Sequence, residues 1–355
     1  MKSCHNSRLV PLAVRSICFV TAWAAMLFVS PFSMSQDSKD DANTVLGIKD
    51  GQFTLNGRPT FLLGASYYAG LGAPEEFVTQ DLDDLKRHGF NWVRVWATCG
   101  FFGQDISAFD VQGRPREKFL DRLKGIVAEC DRRGMVVDVT LTRDSANPAA
   151  GLPDFESHQR AVETLATALK EHRNWSLDLA NERDVRDARF VPADELKSLR
   201  ELVRRIDPDR LVTASLGGHD LSQDDLDECL TVAGLDFLTP HRPRNAESPA
   251  QTEEATRETL ALMKEMGRSV PIVYQEPFRR GYESWRPSVD DFLTDLKGAQ
   301  AGGAAGWCFH NGGQRGAPDE RPRRSFDLSE RRLIDQLDDV EHAVLEQAVA
   351  AIRTE

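Results

Sequence analysis

The 355-residue chain is short of cysteine, of basic charge and of long apolar runs. It has six cysteines, none in a CxxC pair and none at a Cys/His spacing that suits zinc, which excludes zinc-ribbon and finger folds and a small disulfide-stapled scaffold. No stretch reaches the roughly 20 consecutive apolar residues of a comfortable membrane span. No glycine-rich phosphate loop is present: GASYYAG (64–70) lacks the dinucleotide fingerprint, and GGQRG (312–316) follows the last predicted strand. There is no internal repeat and no low-complexity tract. With 44 Lys and Arg against 56 Asp and Glu, the formal charge is −12, which argues against a nucleic-acid partner.

Apolar material is ample, at 41% of residues, enough for a sizeable core. The first 35 residues stand apart. Lys2, Arg8 and Arg15 precede the apolar run ICFVTAWAAMLFV (17–29), and Ser33-Met34-Ser35 supplies small residues for cleavage. This pattern predicts a signal peptide over 1–35 and a secreted or periplasmic protein, with an uncleaved anchor as the alternative. Cys18 stands at the start of the apolar run, which disfavours a lipoprotein anchor. The polar segment 36–44 reads as a linker, and 45–355 as the folded domain. Four cysteines fall in that domain: Cys99, Cys130, Cys229 and Cys308. A domain of this size needs no staple, so buried free thiols are at least as good a reading as disulfides.

Asp50-Gly51 and Asn56-Gly57 are turn signals between short apolar runs and predict a small N-terminal β-hairpin. A rhythm of short apolar strands and amphipathic helices follows. Strands are predicted at 61–66, 91–96, 135–142, 175–180, 210–215, 235–240, 270–276 and 304–310. Helices are predicted at 76–89, 116–134, 156–173, 192–207, 222–233, 248–267, 288–303 and 329–353. Such alternation implies parallel pairing. Eight units fit a (β/α)8 TIM barrel, with an open doubly wound sheet as the structural rival.

In such a barrel, chemistry sits where the strands end at their C-terminal side. The strand ends carry Tyr67 and Tyr68 (first), Arg94 and Trp96 (second), Arg143 and Asp144 (third), Asn181 and Glu182 (fourth), His241 and Arg242 (sixth), Gln275 and Glu276 (seventh), and Trp307, His310 and Asn311 (eighth). Glu182 and Glu276 leave strands on opposite sides of a closed barrel and can face one another across its mouth. Paired carboxylates are what glycosidic cleavage needs: one donates a proton to the leaving oxygen, and the other attacks the anomeric carbon or activates water. Asp138 and Asp178 alternate with apolar residues inside strands and receive no role.

The motifs ANE (180–182), VYQEP (273–277), VRVW (93–96) and GWCF (306–309), together with the opening FTLNGRPTFLLGASYY (53–68), resemble those of clan A glycoside hydrolases, nearest to the cellulase- and mannanase-like family 5. The resemblance covers roughly residues 45–315 and rests on the order and one-per-strand placement of short motifs. It implies Glu182 as general acid/base and Glu276 as nucleophile of a retaining double displacement. It implies further that Asn181 binds the sugar 2-hydroxyl, that Arg94 keeps Glu276 ionised, and that Trp307 is a platform under the sugar. His241, Tyr67, Tyr68, Trp96 and His310 complete the substrate-binding set. A carbohydrate substrate, no cofactor and no metal are expected.

The chain departs from that family on the sixth strand, where His241-Arg242-Pro243 replaces His-x-Tyr. The lost hydroxyl would have to come from Tyr274, Tyr67 or Tyr68. Arg143 also stands where the family has a histidine at the end of the third strand. A non-catalytic carbohydrate-binding barrel is therefore the competing reading, and a metal-dependent barrel hydrolase the weaker one.

Overall fold

The structure is a computed structural model that describes residues 43–100, 105–141, 151–185, 189–280, 285–312 and 326–352. The expected signal peptide, nearly all of the linker, and Arg143 with Asp144 lie outside these residues. None of the described helices is long and apolar enough to cross a membrane.

The chain opens with a three-stranded antiparallel meander, β1 (Leu46–Lys49), β2 (Gln52–Leu55) and β3 (Arg58–Pro59), one strand more than a hairpin. Both turns are built as the sequence implies. Asp50 and Gly51 have φ of 53° and 73°, and Asn56 and Gly57 have 51° and 76°, the paired positive values of a type I′ turn.

The barrel follows, as β4 (Leu62–Ser66), α1 (Glu75–Arg87), β5 (Trp92–Trp96), α2 (Glu117–Arg132), β6 (Val136–Thr140), α3 (Phe155–Ala168), β7 (Trp175–Asp178) and α4 (Ala193–Ile206). The second half continues with β8 (Val212–Thr213), β9 (Ser215–Leu216), α5 (Gln223–Leu226), β10 (Thr239–Pro240), α6 (Ser248–Glu265), β11 (Val273–Tyr274), α7 (Val289–Gly302), β12 (Gly306–Phe309) and α8 (Asp339–Ile352). Seven strands form one parallel sheet in the order β11-β12-β4-β5-β6-β7-β8. β8 and β9 are the two halves of the fifth barrel strand: β8 pairs with β7, and β9 pairs in parallel with β10. A parallel bridge between Leu238 and Ile272 joins the sixth strand to the seventh. The sheet thus closes into a (β/α)8 barrel. The predicted helix over 222–233 is a short α5 continued by a π-helical turn, Asp227–Val232. The last helix begins ten residues later than the pattern suggested, at Asp339.

Two apolar layers hold the barrel. Inside, Leu62, Trp92, Val136, Val273, Ala305 and Cys308 fill the floor, and the meander closes the bottom by bringing Leu46 and Phe53 against them. Phe53 meets Phe237 edge-on, with ring centroids 5.2 Å apart. Gly64 makes room for Trp92: a Cβ there would lie 2.1 Å from the indole. Outside, the strand faces of opposite parity pack on the helices, with Leu63, Val93, Val137 and Leu177 in one continuous cluster with Leu82, Leu123 and Leu165. Cys99, Cys130, Cys229 and Cys308 are buried free thiols.

Trp307 belongs to this outer layer. Its indole N–H donates to Asp295 Oδ2 of α7 at 2.6 Å. Thr252 of α6 donates to the other oxygen of the same carboxylate. Burial pushes the Asp295 carboxyl up to about 6 despite these donors. A carboxyl raised on folding contributes stability that is lost as pH rises through its folded value. Asp295→Asn removes that titration and keeps an acceptor. Its deficit relative to the wild type should therefore shrink by about 1 kcal/mol between pH 5 and pH 8, measured by urea unfolding. A deficit independent of pH would contradict this account.

Candidate active site

The strand ends converge on one buried guanidinium. Arg94 lies on the inward parity of β5, with no solvent exposure. Its Nη1 donates to Glu276 Oε1 at 2.7 Å and to the Tyr68 hydroxyl at 3.1 Å. Its Nη2 donates to Asp178 Oδ2 and Asn181 Oδ1, both at 2.9 Å. Its Nε donates to Thr140 Oγ1 at 3.0 Å, with Asp138 Oδ2 3.8 Å away. One planar fork therefore ties together the first, second, third, fourth and seventh barrel strands. The register explains the geometry: Arg94 is the lateral neighbour of Asp138, and Thr140 of Asp178.

The two glutamates reach the cluster differently. Glu276 lies two residues past the end of β11 and is fully buried. The fourth strand ends at Asp178, and the chain turns through Glu182, which has a left-handed φ of 48°. That conformation costs a non-glycine residue about 1 kcal/mol or more. The turn is held by the Glu182 peptide N–H donating to Ser215 Oγ at 2.9 Å and by Arg183 N–H donating to the Ser215 carbonyl at 2.9 Å.

Between the carboxylates stands a residue the sequence reading passed over. Arg244 Nη2 lies 2.9 Å from Glu182 Oε1 and 2.9 Å from Glu276 Oε2. His241 Nδ1 lies 3.1 Å from Glu182 Oε1 and 3.7 Å from Glu276 Oε2. One oxygen of each glutamate and one nitrogen of His241 fall within 4.8 Å of one another, the one group of three potential metal ligands among the described residues. The Arg244 guanidinium already places a positive charge between those two carboxylates.

Burial opposes ionisation of both glutamates, and the surrounding charges outweigh it. For Glu276, His241 and the guanidiniums of Arg94 and Arg244 hold the carboxyl well below the usual range. For Glu182, the His241 hydrogen bond and the charges of His241 and Arg244 do the same. Burial holds the His310 imidazole well below its ordinary value, with Nδ1 3.9 Å from Glu276 Oε2. Neither of its ring nitrogens has a hydrogen-bond partner among the described residues.

Eight of the ten predicted site residues meet here. Glu182, Glu276, Asn181, Arg94, His241 and Tyr68 are in direct contact, and His310 borders Glu276. Trp96 joins through its stack on Tyr68, with ring centroids 4.3 Å apart and planes 11° from parallel. Tyr68 supplies the hydroxyl that Pro243 lacks, donating to Glu276 Oε1 at 3.0 Å. Burial, with Glu276 beside it, raises this phenol well above its ordinary value, so it remains a donor. Tyr274 is engaged elsewhere, at Thr256.

Tyr67 and Trp307 require correction. Strand alternation turns both outward: Tyr67 donates to Asp81 of α1 at 3.1 Å, and Trp307 to Asp295. Cys308 and His310 share the inward parity of the last strand, so Trp307 and His310 could not both face the mouth. Asp138 and Asp178, left without a role, prove to be partners of Arg94. The signal for them was parity with Arg94; for Arg244, in an irregular loop, no periodicity was available.

The fold and mouth define a (β/α)8 barrel with two carboxylates at the C-terminal ends of its fourth and seventh strands. Comparison with known proteins places it beside glycoside hydrolases of that architecture. A glycoside hydrolase family 5 protein of Bacteroides vulgatus superposes with a TM-score of 0.63 and 18% identity, over 85% of this chain and 70% of that one. The endo-1,4-β-mannanase of Rhizomucor miehei gives a TM-score of 0.56 and 15% identity, over 74% of this chain and 89% of that one. At such identities the likeness is one of fold. In sequence, Endoglycoceramidase I of Rhodococcus hoagii (strain 103S) is 36% identical over 97 residues, which are 26% of this chain and 18% of that protein. No protein-family model matches the chain.

Removing the central cation should be costly. Arg94→Met leaves Glu276, Asp178 and Asp138 buried without their shared partner, and a loss of about 3–5 kcal/mol is expected in guanidinium chloride unfolding. A loss under 1 kcal/mol would mean that the carboxylates find other partners.

Proposed function

We propose that the chain is a retaining glycoside hydrolase that cleaves β-linked polysaccharides or oligosaccharides. The observation that carries this reading is the proximity of Glu182 and Glu276, with one oxygen of each within 4.8 Å in a shared buried cluster. Retaining enzymes hold their carboxyl groups about 5–5.5 Å apart, and inverting enzymes about 6.5–9.5 Å. The family 5 proteins that share the fold support the same choice.

In this reading Glu276, kept ionised by Arg94 and Tyr68, attacks the anomeric carbon and forms a glycosyl ester. Glu182 gives its proton to the departing glycosidic oxygen. It then takes a proton from the water that cleaves the ester. Asn181 accepts from Arg94, which turns its amide nitrogen toward the cluster, where it can serve a sugar hydroxyl. The scissile bond must lie where Arg244 Nη2 now sits, so a neutral sugar displaces this guanidinium. Losing that cation raises the proton affinity of Glu182, as an acid requires.

The site accounts for the missing sixth-strand tyrosine through Tyr68, which weakens the case for a barrel that only binds sugar. The chain matches only a small part of its curated relative, so the test panel is broad: β-1,4-mannan, cellulose oligosaccharides, aryl β-glycosides and a glycosylceramide. Hydrolysis with retained anomeric configuration is expected on at least one. Glu276→Gln should lower kcat at least 10³-fold with the fold intact. A 2-deoxy-2-fluoro aryl β-glycoside of the preferred sugar should leave a covalent adduct on Glu276, seen by peptide mass. Inversion of configuration, or labelling elsewhere, would remove Glu276 from the nucleophile role. Binding without turnover across the panel would favour the binding barrel.

Arg244 gives a second check. Without its charge Glu182 keeps its proton to higher pH, so the alkaline limb of kcat/KM should move upward in Arg244→Gln. An unmoved or lowered limb would separate Arg244 from Glu182 protonation.

A further inference from the structure

Beside the two glutamates, a polar relay runs through the buried interior of the barrel and back to Arg94. Glu182 Oε1 faces His241 Nδ1 at 3.1 Å. On the other side of the ring, His241 Nε2 faces Gln275 Oε1 at 3.4 Å. The Gln275 amide nitrogen donates to Asp138 Oδ2. Asp138 Oδ1 accepts from the Thr140 hydroxyl at 3.1 Å, and Thr140 Oγ1 accepts in turn from Arg94 Nε at 3.0 Å. His241, Gln275, Asp138 and Thr140 have no solvent exposure. Buried groups of this kind must satisfy one another, because an unmade hydrogen bond here costs the full desolvation penalty.

The directions are set from the far end. Arg94 donates to Thr140, so the Thr140 proton goes to Asp138. Asp138 accepts from the Gln275 amide nitrogen, so Gln275 offers its oxygen to His241. An oxygen at that point requires a proton on His241 Nε2. In the neutral ring, Nδ1 is then the lone-pair nitrogen and it faces Glu182.

We propose that Gln275 and Asp138 are positioning residues that fix His241 in the Nε2–H tautomer, so that Nδ1 and Glu182 share one proton. This rests on the reading of Glu182 as the acid/base. The pair holds that proton in either of two forms. It is on His241 Nδ1, as imidazolium against carboxylate, while Arg244 bridges the glutamates. It is on Glu182 Oε1, against neutral imidazole, once a sugar replaces Arg244. The transfer moves one proton across a single hydrogen bond and needs no other donor. The opposite tautomer, with a proton on Nδ1 of a neutral ring, would oblige Glu182 to stay an acceptor and leave it no proton to give.

The charged and titratable neighbours fit this arrangement with Asp138 ionised, the form in which both its oxygens accept. His241 faces Glu182 and Glu276, with Arg244 and His310 on the same side. Asp138 faces Arg94 and lies near Asp178, and burial pushes its carboxyl up to about 7.

The test reads the histidine directly and needs no substrate. Long-range ¹H–¹⁵N spectra of ¹⁵N-histidine-labelled protein, with His241 assigned by its loss in His241→Gln, report which ring nitrogen carries the proton. The wild type should show Nε2 protonated above about pH 7, where Asp138 is ionised and accepts from both Thr140 and Gln275. Gln275→Leu, which removes the acceptor, should lose that preference, and Gln275→Glu, which keeps an oxygen there, should retain it. A neutral ring protonated at Nδ1 in the wild type would overturn the proposal without any variant having to fold. So would an unchanged tautomer in a folded Gln275→Leu. On a hydrolysed substrate, Gln275→Leu should also move the alkaline limb of kcat/KM down by about one pH unit, because the protonated pair loses a hydrogen-bond acceptor. An absence of turnover on every substrate would count against the hydrolase reading and leave the spectra to decide the tautomer.

Discussion

The organisation of the barrel mouth depends on one buried guanidinium. Arg94 has no solvent, and its hydrogen bonds go to side chains from four other strands or strand ends. A single cation in that position does two things that are normally separate. It neutralises carboxylates that could not otherwise be buried, and its rigid planar fork fixes where each must stand. Lysine would supply the charge without the fork. Glu276 is thus placed by the same contacts that make its burial tolerable.

The buried acids divide according to their distance from cationic groups. Glu276 and Glu182 lie against guanidinium and imidazole and are held low. Asp138, farther from Arg94 and near Asp178, is raised to about 7, and Asp295, with Arg242 4.0 Å away, to about 6. Burial acts on all four in the same direction, so the difference comes from the neighbours. The protein keeps ionised those acids that face the mouth, while those behind them sit near neutrality.

Much of this was legible from residues alone, for identifiable reasons. The barrel was readable because parallel strands buried on both faces are continuous apolar runs, and most of the helices between them end on glycine. Glu182, Glu276 and Arg94 were readable because a charge at the end of such a run has no structural excuse. Tyr67 and Trp307 were misplaced because strand parity, which assigns a face, was not applied to aromatic residues; both are apolar enough to serve either side. Arg244 was invisible because the loop that carries it has no period to read. Tyr68 could be named only as one of three candidates, since a hydroxyl supplied from the first strand in place of the sixth is a relation in space that linear order does not encode.

The closure of the barrel also bears on the order in which the molecule can be made. β4, the first barrel strand, hydrogen-bonds on one side to β5, its neighbour in the chain, and on the other to β12, the last strand. Phe53, in the meander beneath, waits for Phe237, and Gln52 for the carbonyl of Gly303. As the chain leaves the ribosome, its earliest apolar segments therefore have no complete set of partners until almost all of it has been synthesised. Contacts so distant along the chain form late and leave open edges in the meantime. Closure of the barrel on itself therefore cannot precede synthesis of β12, whatever partial structure the earlier strands form.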